Sequence, residues 1–336
     1  MSSFYIENKL VGNRAEISGY NPLTTPDLLE HEIPQTTKSK RTVLEAREEV
    51  VSILTSTDAM TRLLVIIGPC SIHDPVAALE YGDRLIVLKK KYKDDLLIVM
   101  RSCIERPTSA IAWKGLINDP DIDGSYRVNK GLRLARQLFV DLTDKGMPIA
   151  SEMLGIVSPS YLADLLSVGA VGSGTTESEW NRELASGLGF PVGFQTGTDG
   201  MFGIAVRAVG AAKNPYHYLS VTKPGVIAVA GTIGNEDCFV IPKGYYNEES
   251  IAEAKAVLEK AGLRDRLMVD CSQTSPEKNH ETQQEAAANL ASQISNGETG
   301  IMGVMIKSNI MEGNQKVPKE GKVGLSHYEE HTFLGI

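Results

Sequence analysis

The residues with the clearest capacity for chemistry begin in the stretch LLVIIGPCSIHD, Leu63 to Asp74. An apolar, β-branched run stops there at Gly68-Pro69 and then presents Cys70, Ser71, His73 and Asp74. A buried strand delivering polar groups at its C-terminal end has this pattern. Comparable strand-like runs farther along place Arg101, Glu152, Gly174, Gln195, Lys243, Gln273 and Lys307 at or just beyond their ends. Lys307 carries the sharpest possibilities. Its amine, emerging among apolar neighbours, could form a Schiff base with a carbonyl substrate or, staying charged, polarise a carbonyl. It could equally pair with Glu152 and do nothing else. Cys70 reads as a nucleophile or an unreactive thiol, and His331 as an acid–base group near pH 7 or a surface histidine.

Positioning so many groups on one rim needs a repeated unit. Strand-like runs at Leu63, Leu96–Cys103, Pro148–Glu152, Ala170–Gly174, Pro191–Gln195, Cys238–Lys243, Leu267–Ser272 and Met302–Lys307 alternate with helical patterns. That alternation predicts an α/β fold, a closed (β/α)8 TIM barrel whose C-terminal rim carries the site. An amphipathic helix over Thr42–Thr55 feeds the first strand. Ser158-Pro159 predicts the start of a helix running through Leu166 and stopped by Gly169. Lys223-Pro224-Gly225 predicts a hairpin inserted before the sixth strand. Residues 1–40, polar and bearing Pro22, Pro26 and Pro34, read as an N-terminal extension to a barrel of residues 41–336. Beyond Ser308 only Tyr328–Leu334 has a helical pattern, so the eighth helix is expected to be short or missing.

The chain of 336 residues is 42% hydrophobic with a formal net charge of -8, which suits one large core and argues against nucleic acid or an anionic membrane as partner. Its four cysteines, Cys70, Cys103, Cys238 and Cys271, form no close pair, so a reduced, cytoplasmic setting is expected. No apolar run approaches the roughly 20 residues of a membrane span.

The motifs GPCSIHD (Gly68–Asp74), WKGLINDPD (Trp113–Asp121), VNKGL (Val128–Leu132), SEML, TTES with RELASGL (Arg182–Leu188), GTDG (Gly197–Gly200), SVTK and EGNQ (Glu312–Gln315) occur in that order. Together they resemble the type I 3-deoxy-D-arabino-heptulosonate-7-phosphate (DAHP) synthases, from about residue 15 to 325, and the fungal feedback-regulated forms in particular. The resemblance implies condensation of phosphoenolpyruvate with erythrose 4-phosphate, a divalent metal held by Cys, His, Glu and Asp, and a ring of Arg and Lys for phosphate and carboxylate.

Carried across by position, the metal cysteine is Cys70, but the histidine, glutamate and aspartate positions read Gln273, Lys307 and His331. A lysine in a cation site carries a like-charge penalty of several kcal/mol. The expectation is therefore no metal and no cofactor. In the anion ring Arg101 is kept, and Arg106 and Lys243 are conservative replacements. Gly174 and Gln195 are losses, and the phosphate grip reads Arg106-Pro107-Thr108-Ser109. Gly174 and Met201 suggest a roomier cavity, while Lys114, Asp119, Glu152, Arg182 and Asp199 are retained.

The expected function is a repurposed synthase, independent of metal and phosphoenolpyruvate. It would perform carbonyl chemistry (aldol, cyclisation or condensation) on a larger metabolite bearing a carboxylate or carbonyl, in secondary metabolism. Lys307, Gln273, His331 and Cys70 would be catalytic; Arg101, Arg106, Lys114, Glu152, Gly174, Gln195, Asp199, Met201 and Lys243 would bind substrate. The alternatives are a non-catalytic paralogue regulating a partner enzyme and an authentic DAHP synthase with an unusual site. A homodimer or homotetramer is expected.

Overall fold

A computed structural model describes residues 20–58, 61–106, 113–244, 246–273, 281–312 and 334–335. Helix α1 (Pro26–Glu32) opens with proline behind the Thr25 cap, and α2 (Thr37–Leu54) behind Thr36, whose hydroxyl accepts from Ser39 N at 3.0 Å. That cap starts α2 earlier than the apolar spacing predicts, so residue 40 lies within the helix. There follow β1 (Leu63–Gly68), α3 (Pro75–Lys91), β2 (Leu96–Arg101), α4 (Val128–Lys145), β3 (Ile149–Glu152) and α5 (Pro159–Leu162). Next come β4 (Val168–Val171), α6 (Glu179–Ser186), β5 (Val192–Gln195), α7 (Phe202–Ala212), β6 (His217–Val221) and β7 (Ile227–Gly231). The chain continues through β8 (Cys238–Ile241), α8 (Glu248–Lys260), β9 (Leu267–Asp270), α9 (Glu281–Ser295), β10 (Ile301–Asn309) and β11 (Leu334–Gly335). Asp74 caps α3, accepting from Val76 N at 2.8 Å and Ala77 N at 3.3 Å.

Strands β1, β2, β3, β4, β5, β8, β9 and β10 pair in that order, all parallel, and β10 returns to β1 with Gly68 opposite Lys307. The expected (β/α)8 barrel is thus closed. The antiparallel pair β6–β7 is the expected inserted hairpin. Strand β11 extends β10 at its end, Ser308 opposite Leu334. The proposed turn at Tyr328–Leu334 lies almost wholly outside the described residues.

Side chains alternate in and out along each strand, and here the two sets form two separate cores. Val65, Ile98, Met100, Ile149, Phe194, Val240 and Val269 pack outward beneath the helices. Leu64, Ile66, Leu97, Val99, Ala150, Ala170, Ile241, Met268 and Met305 fill the interior, with Val50, Ile53 and Leu54 from the end of α2 in the same cluster. Among the described residues no helix is long and apolar enough to cross a membrane.

The helix expected from Ser158 through Leu166 is only one turn followed by a 3-10 turn at Ala163–Leu165, and Gly169 lies inside β4 rather than at a helix stop. Two arginines account for the early end. Arg136, buried on α4, donates to Tyr161 O at 2.8 Å, to Ile33 O at 2.8 Å and to both oxygens of Asp164 at 2.9 Å. Arg47 on α2 donates to Leu166 O at 2.8 Å and Ala163 O at 2.6 Å. Carbonyls that a longer helix would have bonded are taken by guanidinium groups. Ser158 makes no side-chain cap; its hydroxyl donates to Glu105 Oε2 at 2.6 Å instead. Replacing Arg136 by methionine removes one partner of this pair and strands several acceptors. The expected loss is about 3 kcal/mol of stability, read as a lower urea midpoint with unchanged slope.

Candidate active site

Following each strand inward by steps of two leads past the apolar interior to one more layer at the C-terminal rim. Val99 is followed by Arg101, Ala150 by Glu152, Ala170 by Gly172, Gly193 by Gln195, Ile241 by Lys243, Met268 by Asp270 and Met305 by Lys307. The closed register joins these residues into a ring, with Lys243 bridged to Asp270 and Asp270 opposite Met305. Arg101, Gln195, Asp270 and Lys307 are buried at the rim, and Glu152 is half-buried.

Arg101 donates to Pro69 O at 2.8 Å and stands 3.8 Å from Glu152 Oε2. Glu152 lies across Gly172, where any Cβ would collide with its Oε1, so the glycine makes room for the carboxylate. Burial pushes the Glu152 carboxyl above its ordinary range, against the pull of Arg101, Lys243 and Lys307. Asp270 behaves oppositely. Burial works to raise its pKa, but Lys307, Lys243 and the Ser272 hydrogen bonds together hold it below the usual range. Its Oδ1 accepts from Ser272 N at 2.9 Å and Ser272 Oγ at 2.6 Å, and its Oδ2 from Gln195 Nε2 at 3.4 Å. Gln195 Oε1 in turn accepts from Ser173 N at 3.2 Å. That backbone donor fixes which way the amide faces. Burial lowers the Lys243 ammonium from its usual value, partly offset by Asp270.

The structure therefore brings together Arg101, Glu152, Gln195, Lys243 and Lys307 of the residues expected from sequence, with Cys70 buried just past β1. Arg106 is half-buried, its backbone N–H donating to Lys114 O at 2.9 Å. Lys114, Gly174, Asp199 and Met201 are exposed. Gly174 has open space where a side chain would stand, and Asp199 Oδ1 accepts from Met201 N at 3.0 Å. Gln273 ends a 3-10 turn after β9. His331 lies outside the described residues. Sequence reading missed Asp270, Ser173 and Ser272. For Asp270 the signal was there: it continues the inward step from Met268.

The resemblance to DAHP synthases implies a metal, and the described donors do not suit one. Among the described residues no three or more His, Cys, Asp or Glu are grouped so as to hold an ion. Where the resemblance implies a glutamate ligand, the rim carries the buried Lys307.

The chain matches the DAHP synthetase I family over residues 42–335. It is 59% identical over 335 residues to the phospho-2-dehydro-3-deoxyheptonate aldolase AMT16 of Alternaria alternata, covering 97% of this chain and 90% of that one. It is 47% identical over 331 residues to the phenylalanine-inhibited phospho-2-dehydro-3-deoxyheptonate aldolase of Saccharomyces cerevisiae, covering 94% and 89%. The solved phospho-2-dehydro-3-deoxyheptonate aldolase of Francisella tularensis superposes with a TM-score of 0.90 at 40% identity, covering 95% of this chain and 94% of that one.

These full-length likenesses overturn the expectation of a synthase diverted to a larger metabolite in secondary metabolism and favour the alternative of an authentic synthase. The physical reason lies in the ring. With Gly174 and Gln195 as losses, Arg101, Lys243 and Lys307 still outnumber Glu152 and Asp270 among the described rim residues. Motifs, barrel and relatives agree that the chain belongs to the DAHP synthetase I family of enzymes.

Proposed function

We propose that the chain is a phospho-2-dehydro-3-deoxyheptonate aldolase, joining the three carbons of phosphoenolpyruvate to the four of an aldose phosphate. The observation that carries this reading is the rim layer of Arg101, Lys243 and Lys307 set against Glu152 and Asp270. A phospho-enol carboxylate has two anionic ends, and several cations in a shielded ring bind them better than any single one would in water. Formally, C3 of the enol bonds to the aldehyde carbon, the aldehyde oxygen takes a proton, and water adds at C2 as inorganic phosphate departs.

Arg101 and Lys243 grip the anionic ends and hold the enol against the aldehyde. Glu152, its pKa raised by burial, keeps its proton to higher pH than an exposed glutamate and is the ring's proton donor to the new alkoxide. No step is assigned to a metal, because the described donors do not fit one. Relatives named as phospho-2-dehydro-3-deoxyheptonate aldolases along nearly the whole chain support the substrate pair. We also propose that the chain is a homodimer or homotetramer; the exposed Ile227, Val229 and Ile233 on and beside the hairpin suit a covered face.

The direct test incubates the purified chain with phosphoenolpyruvate and erythrose 4-phosphate in the presence of divalent cations and follows release of phosphate and the seven-carbon keto acid. Equimolar appearance of both is expected; loss of phosphoenolpyruvate to pyruvate, or no loss at all, would refute the reading. Glu152→Gln is expected to lower kcat about 100-fold with little change in KM. Lys243 gives a pH signature. Its cation is present below its folded pKa, which burial has lowered from 10.5. The KM for phosphoenolpyruvate should therefore rise on the alkaline side at a pH below 10.5, and Lys243→Arg should move that rise to higher pH.

A further inference from the structure

On the flank of the barrel, where α1 ends against α4 and the second turn of α3, lies a partly open cavity of about 430 Å³. That volume suits a small molecule. Ile33, Leu79 and Val140 supply its apolar lining, and three carboxylates, Glu32, Asp141 and Asp144, line it against one ammonium, Lys145. The neighbouring cations are already engaged: Lys145 Nζ stands 2.6 Å from Asp83 Oδ1, and Arg133 Nε stands 2.8 Å from Glu32 Oε2. Asp141 and Asp144 meet neutral donors instead. Gln137 Nε2 donates to Asp141 Oδ1 at 2.8 Å, Thr36 Oγ1 donates to Asp144 Oδ1, and among the described residues neither carboxylate forms an ion pair.

Both aspartates are half-buried within the last five residues of α4, three apart on one face. Carboxylates at a helix C-terminus oppose its dipole, and like charges at that spacing repel. A cation entering the cavity offsets both costs. Among the described residues no three acidic or other ligating side chains are grouped so as to hold a metal ion, so the lining suits a cation with a body of its own. We propose that this cavity binds a small primary amine, its ammonium between Asp141 and Asp144 and its apolar stem along Ile33, Leu79 and Val140. The site is separate from the rim layer, and its assignment does not draw on the condensation reading.

The experiment gives the full chain three probes of similar shape and different charge, pentylamine, pentanol and pentanoate, and follows them by saturation-transfer NMR and by the thermal midpoint. Pentylamine should bind and raise the midpoint, with the alcohol and the acid at least about 10-fold weaker. Asp141→Asn should weaken pentylamine about 10-fold. The same variant should melt at or above the parent temperature, because it takes a negative charge from a helix C-terminus; a purely structural aspartate would lower it. Asp141→Lys brings its own ammonium to the cavity and should abolish binding. Glu253→Gln removes the same charge from an exposed site on α8 and should leave binding within about twofold of the parent.

Pentylamine that does not bind, or binds no better than pentanol, overturns the proposal. So does a loss below about threefold in Asp141→Asn, or pentylamine binding that survives in Asp141→Lys. An equal loss in Glu253→Gln and Asp141→Asn assigns the attraction to overall charge and refutes the site. Should Asp141→Asn fail to melt cooperatively, Asp144→Asn, which keeps an acceptor for Thr36, carries the same expected loss and the same threshold.

Discussion

A closed barrel has room inside for side chains only in layers, and every inward position above the apolar layers must fit against its neighbours on adjacent strands. In this chain the last layer holds three cations and two carboxylates where most of their surface is withheld from water. Desolvation alone would make that layer untenable, so each charge has to be answered by another charge or by a fixed dipole. Arg101 answers Glu152, Lys243 and Lys307 answer Asp270, and Ser272 and the Ser173–Gln195 pair supply the neutral donors. The balance is tuned unevenly. Glu152 is pushed toward its protonated form and Asp270 toward its ionised form, so two carboxylates of one ring have different chemistry at the same pH.

The remainder of the fold keeps that layer still. The end of α2 enters the interior core through Val50, Ile53 and Leu54, and Arg266 reaches the same end to donate to Ile53 O at 2.8 Å. Arg136 and Arg47 join α4, α2 and the end of α1 to the interrupted segment after β3, which carries Glu152 at its tip. Ser158, freed from capping, holds Glu105, whose carboxyl burial pushes up, beyond the next strand end along. A buried guanidinium that binds several carbonyls fixes directions as well as distances, which is what a site with tolerances of a fraction of an ångström requires.

Much of this was legible in residues alone. Runs such as Leu63–Gly68 and Leu96–Arg101 announce themselves by composition, and Lys223-Pro224-Gly225 marks the turn of the inserted hairpin. The segment after Ser158 was misread because the groups that end it, Arg47 and Arg136, lie 119 and 25 residues away from the carbonyls they bind. No local pattern carries that information. Asp270 was passed over although strict alternation from Met268 points it inward. Charge is harder to read: Gln195 and Gly174 look like losses when taken singly, whereas the ring responds to the sum over neighbouring strands, in which Lys307 helps hold the Asp270 carboxyl below its usual range.

The most direct examination of this account is a crystal structure of the chain soaked with phosphoenolpyruvate. The ligand should sit on the rim layer, its phosphate and carboxylate within hydrogen-bond distance of Arg101, Lys243 and Lys307, with Asp270 still held by Ser272 and Gln195. A ligand seated away from that ring, or a ring whose three cations turn from it, would contradict the account.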